Sequence, residues 1–169
     1  MDKILIIGLG NVLMSDDSLG VVAVKELEKR NKEYGINFLD VGTSVLNYII
    51  DIGRAENLIA IDAITAGHPP GTIYYIDNPD MIKDMELFSD SHECSLPEAV
   101  ALSRELTGLP AKVIIYGIEP YTCEVGFCIS PEVKESLQKL ITMVQREIRS
   151  LMALEQYQTG SDPPCMNCQ

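Results

Sequence analysis

The sequence predicts an α/β domain: a three-layer sandwich with helices on both faces of a mostly parallel, twisted five-stranded sheet in which one strand is reversed. Three observations lead there. Short apolar runs rich in β-branched residues at 4–7 (ILII), 36–41 (INFLDV), 58–63 (LIAIDA) and 112–118 (KVIIYGI) fit strands covered on both faces. The stretches between them carry apolar residues at helical spacing. Finally, the break at 64–71, with Pro69, Pro70 and Gly71, is shorter than the dozen or so residues a parallel crossover needs. The strand at 72–76 (TIYYI) therefore runs antiparallel to the one before it, at a sheet edge.

In order, the strand at 4–7 ends at Gly8 and Gly10, which lack Cβ atoms and let the backbone turn out of the sheet. Asp16 and Asp17 then stand at a helix start. Leu19, Val21, Val22, Val24 and Leu27 give that helix its apolar face to about Arg30, with Lys29 and Arg30 complementing the carbonyl end and Gly35 as a stop. The second strand ends at Gly42. Residues 45–52 (VLNYIIDI) suit a short buried helix capped by Thr43 or Ser44 and stopped by Gly53. After the fourth strand a short helix at 81–88 and a polar loop at 89–94 are expected, then a helix at 96–106 stopped by Gly108 and Pro110. Ile129, Val133, Leu137, Leu140, Ile141, Val144 and Ile148 recur at helical spacing, so a long amphipathic helix starts near Pro131.

With 169 residues and 46% hydrophobic content, the chain fits a single domain over 1–154 followed by a mobile polar tail, 155–169. It has no internal repeat, no apolar run long enough to span a bilayer and no basic-then-apolar leader, so the expectation is a cytoplasmic protein with no membrane partner. A formal charge of -12 argues against nucleic acid, whose binding requires clustered Lys and Arg, and suits a basic polypeptide better. Five cysteines, an odd number, read as reduced thiols.

If the first and third strands are parallel, Asp16, Asp17 and Asp62 emerge on one edge of the sheet, within reach of a loop carrying His92. Each has an ordinary reading: a first-turn helix acid, a strand-end acid, a surface histidine. Together, two carboxylates and an imidazole with open positions suit a borderline divalent metal such as nickel, zinc or iron. His68, before two prolines, reads as a solvated turn residue. Cys94 lies two residues from His92, but that spacing alone supplies neither a base in hydrogen-bond reach nor a lowered pKa, so a thiol protease is disfavoured. A dinucleotide fingerprint fails because its third glycine would be Leu13, and a phosphate cradle fails because the loop runs into two aspartates. A receiver-type phosphoacceptor module, which also places acids after strands one and three, is the stronger rival. It requires a lysine where this chain has Gly117-Ile118-Glu119.

From about residue 3 to 148 the sequence resembles the hydrogenase maturation endopeptidases, which remove the C-terminal extension of the large subunit of nickel-iron hydrogenases. The motif Gly8-x-Gly10-Asn11-x-Leu13-x-x-Asp16-Asp17-x-x-Gly20 carries most of the resemblance. It is supported by Asp40-Val-Gly42-Thr43, Asp62 at its strand end, Pro70-Gly71-Thr72, His92, and Tyr116-Gly-Ile-Glu-Pro120. Ser18 and Val41 stand where the family often has glycine. The resemblance implies Asp17, Asp62 and His92 as metal-holding and catalytic residues, with Gly8, Gly10, Asn11, Asp16, Asp40, Gly42 and Thr43 shaping the site or positioning substrate. It implies a nickel ion brought by the large-subunit precursor, for which another divalent metal can substitute. The alternative is a non-catalytic metal-binding or receiver-type module using the same acids. The last residues, Ser161-Asp-Pro-Pro-Cys165-Met-Asn-Cys168-Gln169, resemble an imperfect copy of the Asp-Pro-Cys-x-x-Cys segment near the cut site of hydrogenase large subunits, making the tail a candidate pseudosubstrate.

Overall fold

A computed structural model describes residues 2–77 and 96–158. Five strands, β1 (Asp2–Leu9), β2 (Ile36–Gly42), β3 (Ala55–Ala63), β4 (Ile73–Ile76) and β5 (Lys112–Ile118), form one sheet in the order β2-β1-β3-β5-β4. The first three and β5 are parallel, and β4 pairs antiparallel with β5. Among the described residues four helices accompany them: α1 (Leu19–Arg30), α2 (Ile49–Ile52), α3 (Leu96–Thr107) and α4 (Pro131–Gln158). The three-layer reading of the sequence holds.

Alternation along the strands fills two cores, one per face of the sheet. Ile4, Ile6, Ile59 and Ile61 point towards α1 and α4 and pack with Leu19, Leu27, Leu140, Ile141 and Val144. Leu5, Ile7, Leu58, Ala60, Val113 and Ile115 point the other way, onto Val45, Ile52, Leu96, Ala99 and Val100. Because both faces of β1, β3 and β5 are covered, these strands read in sequence as unbroken apolar runs.

The reversed strand also behaves as expected in direction and edge position, but β5 is inserted between it and β3. Burial accounts for this. From Val113 to Ile118 every residue of β5 is buried, which requires a neighbour on each side, whereas the four residues of β4 are half-buried or exposed and suit an edge. Two local expectations are corrected. The helix at 45–52 opens as a 3-10 turn, Val45–Tyr48, and Ser44 makes no side-chain cap bond. The long helix continues to Gln158, past the boundary expected at 154, since good helix formers such as Leu, Ala, Glu and Gln persist there. The short helix expected at 81–88, the loop with His92 and Cys94, and the tail from 159 with Cys165 and Cys168 lie outside the described residues.

Candidate active site at the carboxyl edge of the sheet

From β1 the chain moves to β2 on one side, then returns to β3 on the other side of β1. Such a reversal leaves a crevice at the carboxyl ends of the two central strands, where open α/β sheets bind ligands. The acids of interest lie there. The glycine turn makes this geometry. Gly10 has φ +114°, and a Cβ on it would collide with the carbonyl oxygen of Asp17. Gly20 sits so close to the backbone of Leu9 and Ile61 that a side chain would push α1 off the sheet. The turn is fastened to β2 by Gly10 N–H donating to the Gly42 carbonyl at 2.9 Å.

Beyond Gly10, the acidic pair sits in a 3-10 turn, Ser15–Ser18, immediately before α1. The two acids part company here. Asp16 is fully buried, and its carboxylate accepts backbone N–H bonds from Tyr121 (2.9 Å), Thr122 (3.1 Å) and Ser130 (2.6 Å). It is a clamp on the segment between β5 and α4. Asp17 is half-buried and takes one N–H bond, from Asn11 at 2.7 Å. Asn11 in turn accepts from Leu13 N–H at 3.0 Å through its side chain, closing the turn that aims Asp17.

Asp62, next to last in β3, is half-buried and accepts from Ala63 N–H at 2.8 Å. Burial, then the negative charge of Asp17, push its carboxyl up from 3.8 to about 7, against the weaker pull of the Ala63 bond. That coupling brings together the two carboxylates inferred from sequence. A carboxyl that keeps its proton partly because a neighbouring carboxylate faces it suits a divalent cation, which would supply the opposite charge. Among the described residues no three His, Cys, Asp or Glu side chains group to hold a metal, His92 being outside them.

Cys123, between β5 and α4, was missed at the sequence level. Its thiol is pushed up to about 11, first by burial and then by Asp17, Asp16 and Asp62, while an N–H bond from Asp17 works the other way. At neutral pH it is therefore a thiol and a poor nucleophile. The other residue without an advance role is Glu119. It is buried and accepts from the Tyr74 hydroxyl and from N–H of Ala66 (2.9 Å) and Gly67 (3.1 Å). Burial opposes its charge, but these bonds and one from His68 N–H outweigh it and hold the carboxyl below its usual range. His68, exposed as expected, rests its Nδ1 3.1 Å from the Tyr74 hydroxyl.

The remaining sequence candidates shape the periphery. Gly42 has φ +59° at the end of β2, and Thr43 is exposed just after it. Asp40 is exposed and forms an ion pair with Lys25 at 2.8 Å, which fastens β2 to α1 and holds the acid outside the Asp17–Asp62 pair. The receiver-type alternative fails on topology, since that fold orders its strands 2-1-3-4-5 and here an antiparallel β4 closes the edge beyond β5.

Comparison with known proteins agrees. A family model described as "Hydrogenase maturation protease" matches residues 21–147. The hydrogenase 2 maturation protease of Escherichia coli is 26% identical over 150 residues, covering 87% of this chain and 91% of that protein. The hydrogenase expression/formation protein HupD of Thiocapsa roseopersicina is 28% identical over 148 residues, covering 83% of this chain and 65% of that longer protein. In structure, the hydrogenase maturating endopeptidase HybD from E. coli superposes with a TM-score of 0.76 at 25% identity, over 88% of this chain and 93% of that one. The [NiFe] hydrogenase maturation protease HybD from Thermococcus kodakarensis gives 0.73 at 26% identity, over 85% and 97%. This chain, with its paired acids at the β1/β3 crevice, belongs to the hydrogenase maturation protease family, a family of peptide-bond hydrolases.

Proposed function

We propose that this protein is the endopeptidase that removes the C-terminal extension of a nickel-iron hydrogenase large-subunit precursor once nickel has been inserted, recognising the bound nickel itself. The observation that carries the reading is the coupling of Asp17 and Asp62 at the β1/β3 crevice of a fold shared with maturation proteases. Two coupled carboxylates favour a precursor that brings a cation over an unloaded one on charge grounds. Nickel is thus part of the substrate, with Asp17, Asp62 and His92 completing its coordination. Another divalent ion can occupy the same oxygen and imidazole donors.

Among the described residues no activated nucleophile faces the crevice, because the thiol of Cys123 stays protonated. On this reading water attacks the scissile carbonyl. Either the metal would polarise that carbonyl or one of the acids, Asp17 or Asp62, would take the proton of the attacking water and return it to the leaving amine.

The chain works in the cytoplasm on this reading, and no helix among the described residues is long and apolar enough to cross a membrane. On the same reading residues 161–169 are a candidate pseudosubstrate, since Cys165 and Cys168 are soft thiolate donors that would complement the harder acids. The test is incubation of the purified chain with nickel-loaded and nickel-free precursor, followed by intact-mass analysis. Loss of one C-terminal peptide from the loaded form alone is the expected result, and an unchanged loaded precursor refutes the reading.

A further inference from the structure

Two segments on the same rim of the crevice expose apolar side chains that the fold makes no use of. Val12 and Leu13 follow the glycine turn and are 48% and 52% exposed, while Tyr121, Val125 and Phe127, between β5 and α4, are 66%, 81% and 81% exposed. Single exposed apolar residues are ordinary; a contiguous set on bonded backbone marks an interaction surface. These are contiguous. Gly126 N–H donates to the Leu13 carbonyl at 2.9 Å, and Ser15 N–H to the Gly126 carbonyl at 2.8 Å, forming a parallel bridge between Met14 and Gly126. Asp16 N–H donates to the Thr122 carbonyl at 3.1 Å while its buried carboxylate holds Tyr121, Thr122 and Ser130. The side chains are therefore exposed on a fastened backbone.

We propose that this rim docks an uncharged, apolar segment of the hydrogenase precursor next to the bond to be cut, an inference that rests on the proposed function. Continuity with the site selects this occupant. The backbone at Tyr121 and Thr122 is bonded to Asp16, the chain neighbour of Asp17, so a chain laid along the rim delivers its next residues to the acids. Charge narrows the chemistry further. Residues 11–14 carry no charge and 120–128 carry only Glu124, whereas the acids beyond them repel carboxylates. The fitting ligand is an extended uncharged apolar segment, without Asp or Glu, that ends at a cationic centre. The rim reads the peptide and the acids read the metal.

The test is the double variant Val125→Ser/Phe127→Ser of the full chain, whose substitutions remove side chains that are almost entirely in solvent. Precursor binding is measured by biolayer interferometry alongside KM and kcat for processing, with thermal melting as the control. Expected are an unchanged melting temperature, an unchanged kcat, and a Kd and KM raised at least about tenfold, the loss typical of truncated interface anchors. Unchanged Kd and KM overturn the proposal, as does a fall in kcat alone. A concentration-dependent dimer abolished by the variant, with KM untouched, also overturns it by assigning the rim to a second copy of the chain. If the precursor binds but is never shortened, the rim assignment survives on its Kd difference and the proteolytic reading falls.

Discussion

Replacing Asp62 by Asn should stabilise the metal-free protein at alkaline pH while destroying its processing activity. The carboxyl of Asp62 titrates at about 7 in the fold against 3.8 ordinarily, so the folded chain holds this proton longer than the unfolded one. Below pH 4 both states are protonated and Asp62 costs nothing. As pH rises from 4 through 7 stability is lost, and above 7 the cost is complete, ~4 kcal/mol at 1.36 kcal/mol for each decade between the two values. Asp62 is half-buried, so water screens part of this, and about 2 kcal/mol is a sounder expectation. Asparagine removes the charge and keeps the carbonyl that accepts from Ala63 N–H. At roughly 2–4 °C per kcal/mol for a domain of this size, its melting temperature should rise by about 4–8 °C at pH 8, with little change at pH 4. Scanning calorimetry with a chelator present at both pH values measures this. An equal shift at the two pH values, or a loss at pH 8, would refute the electrostatic reasoning.

Asp17→Asn should also end processing, and by removing the second cause of the Asp62 shift it should bring that carboxyl back towards its ordinary range; the stabilities of Asp17→Asn and Asp62→Asn should then be less than additive in a double-mutant cycle. Gly10→Ala forces a side chain onto the Asp17 carbonyl at φ +114° and should cost at least about 2 kcal/mol, so normal melting and normal activity together would contradict the tight-turn account. Cys123→Ser should keep most of the activity, because the thiol is protonated near neutrality; complete loss in a folded variant would restore a thiol nucleophile to the mechanism. Deleting residues 161–169 should lower the KM for precursor and weaken nickel binding by the free protein, and unchanged values of both would dismiss the pseudosubstrate.

What could be read from the sequence was what local chemistry dictates. Apolar runs at 4–7, 58–63 and 112–118 announce strands covered on both faces, Gly10 announces a turn, and the short break at 64–71 announces a reversal, since each depends on a handful of consecutive residues. The pairing of β4 with β5 was not visible, because it is decided by how completely a strand distant in sequence is buried. Glu119 was noted for not being lysine and as part of the Tyr116–Pro120 motif, without a role of its own. Its role depends on N–H groups more than fifty residues away that happen to be free in the 64–72 turn. Cys123 likewise acquires its character from burial and then from Asp17, Asp16 and Asp62, and no spacing rule connects it to them.

The neighbouring acids Asp16 and Asp17 show most directly why position in sequence underdetermines role. In a 3-10 turn successive side chains are separated by about 120° around the axis, so two adjacent carboxylates cannot face the same way. One of them turns inward, where an unpaired charge would be prohibitive, and survives there because three backbone N–H groups meet it. The other turns to the crevice with one such bond, retaining lone pairs that a cation can take. The inward acid fixes the 121–130 segment, which carries the apolar rim, and the outward acid fixes the charge of the site. A single turn thereby sets both the shape and the electrostatics that a precursor would meet, and the glycines before it are needed because they bring that turn against the ends of β1 and β3.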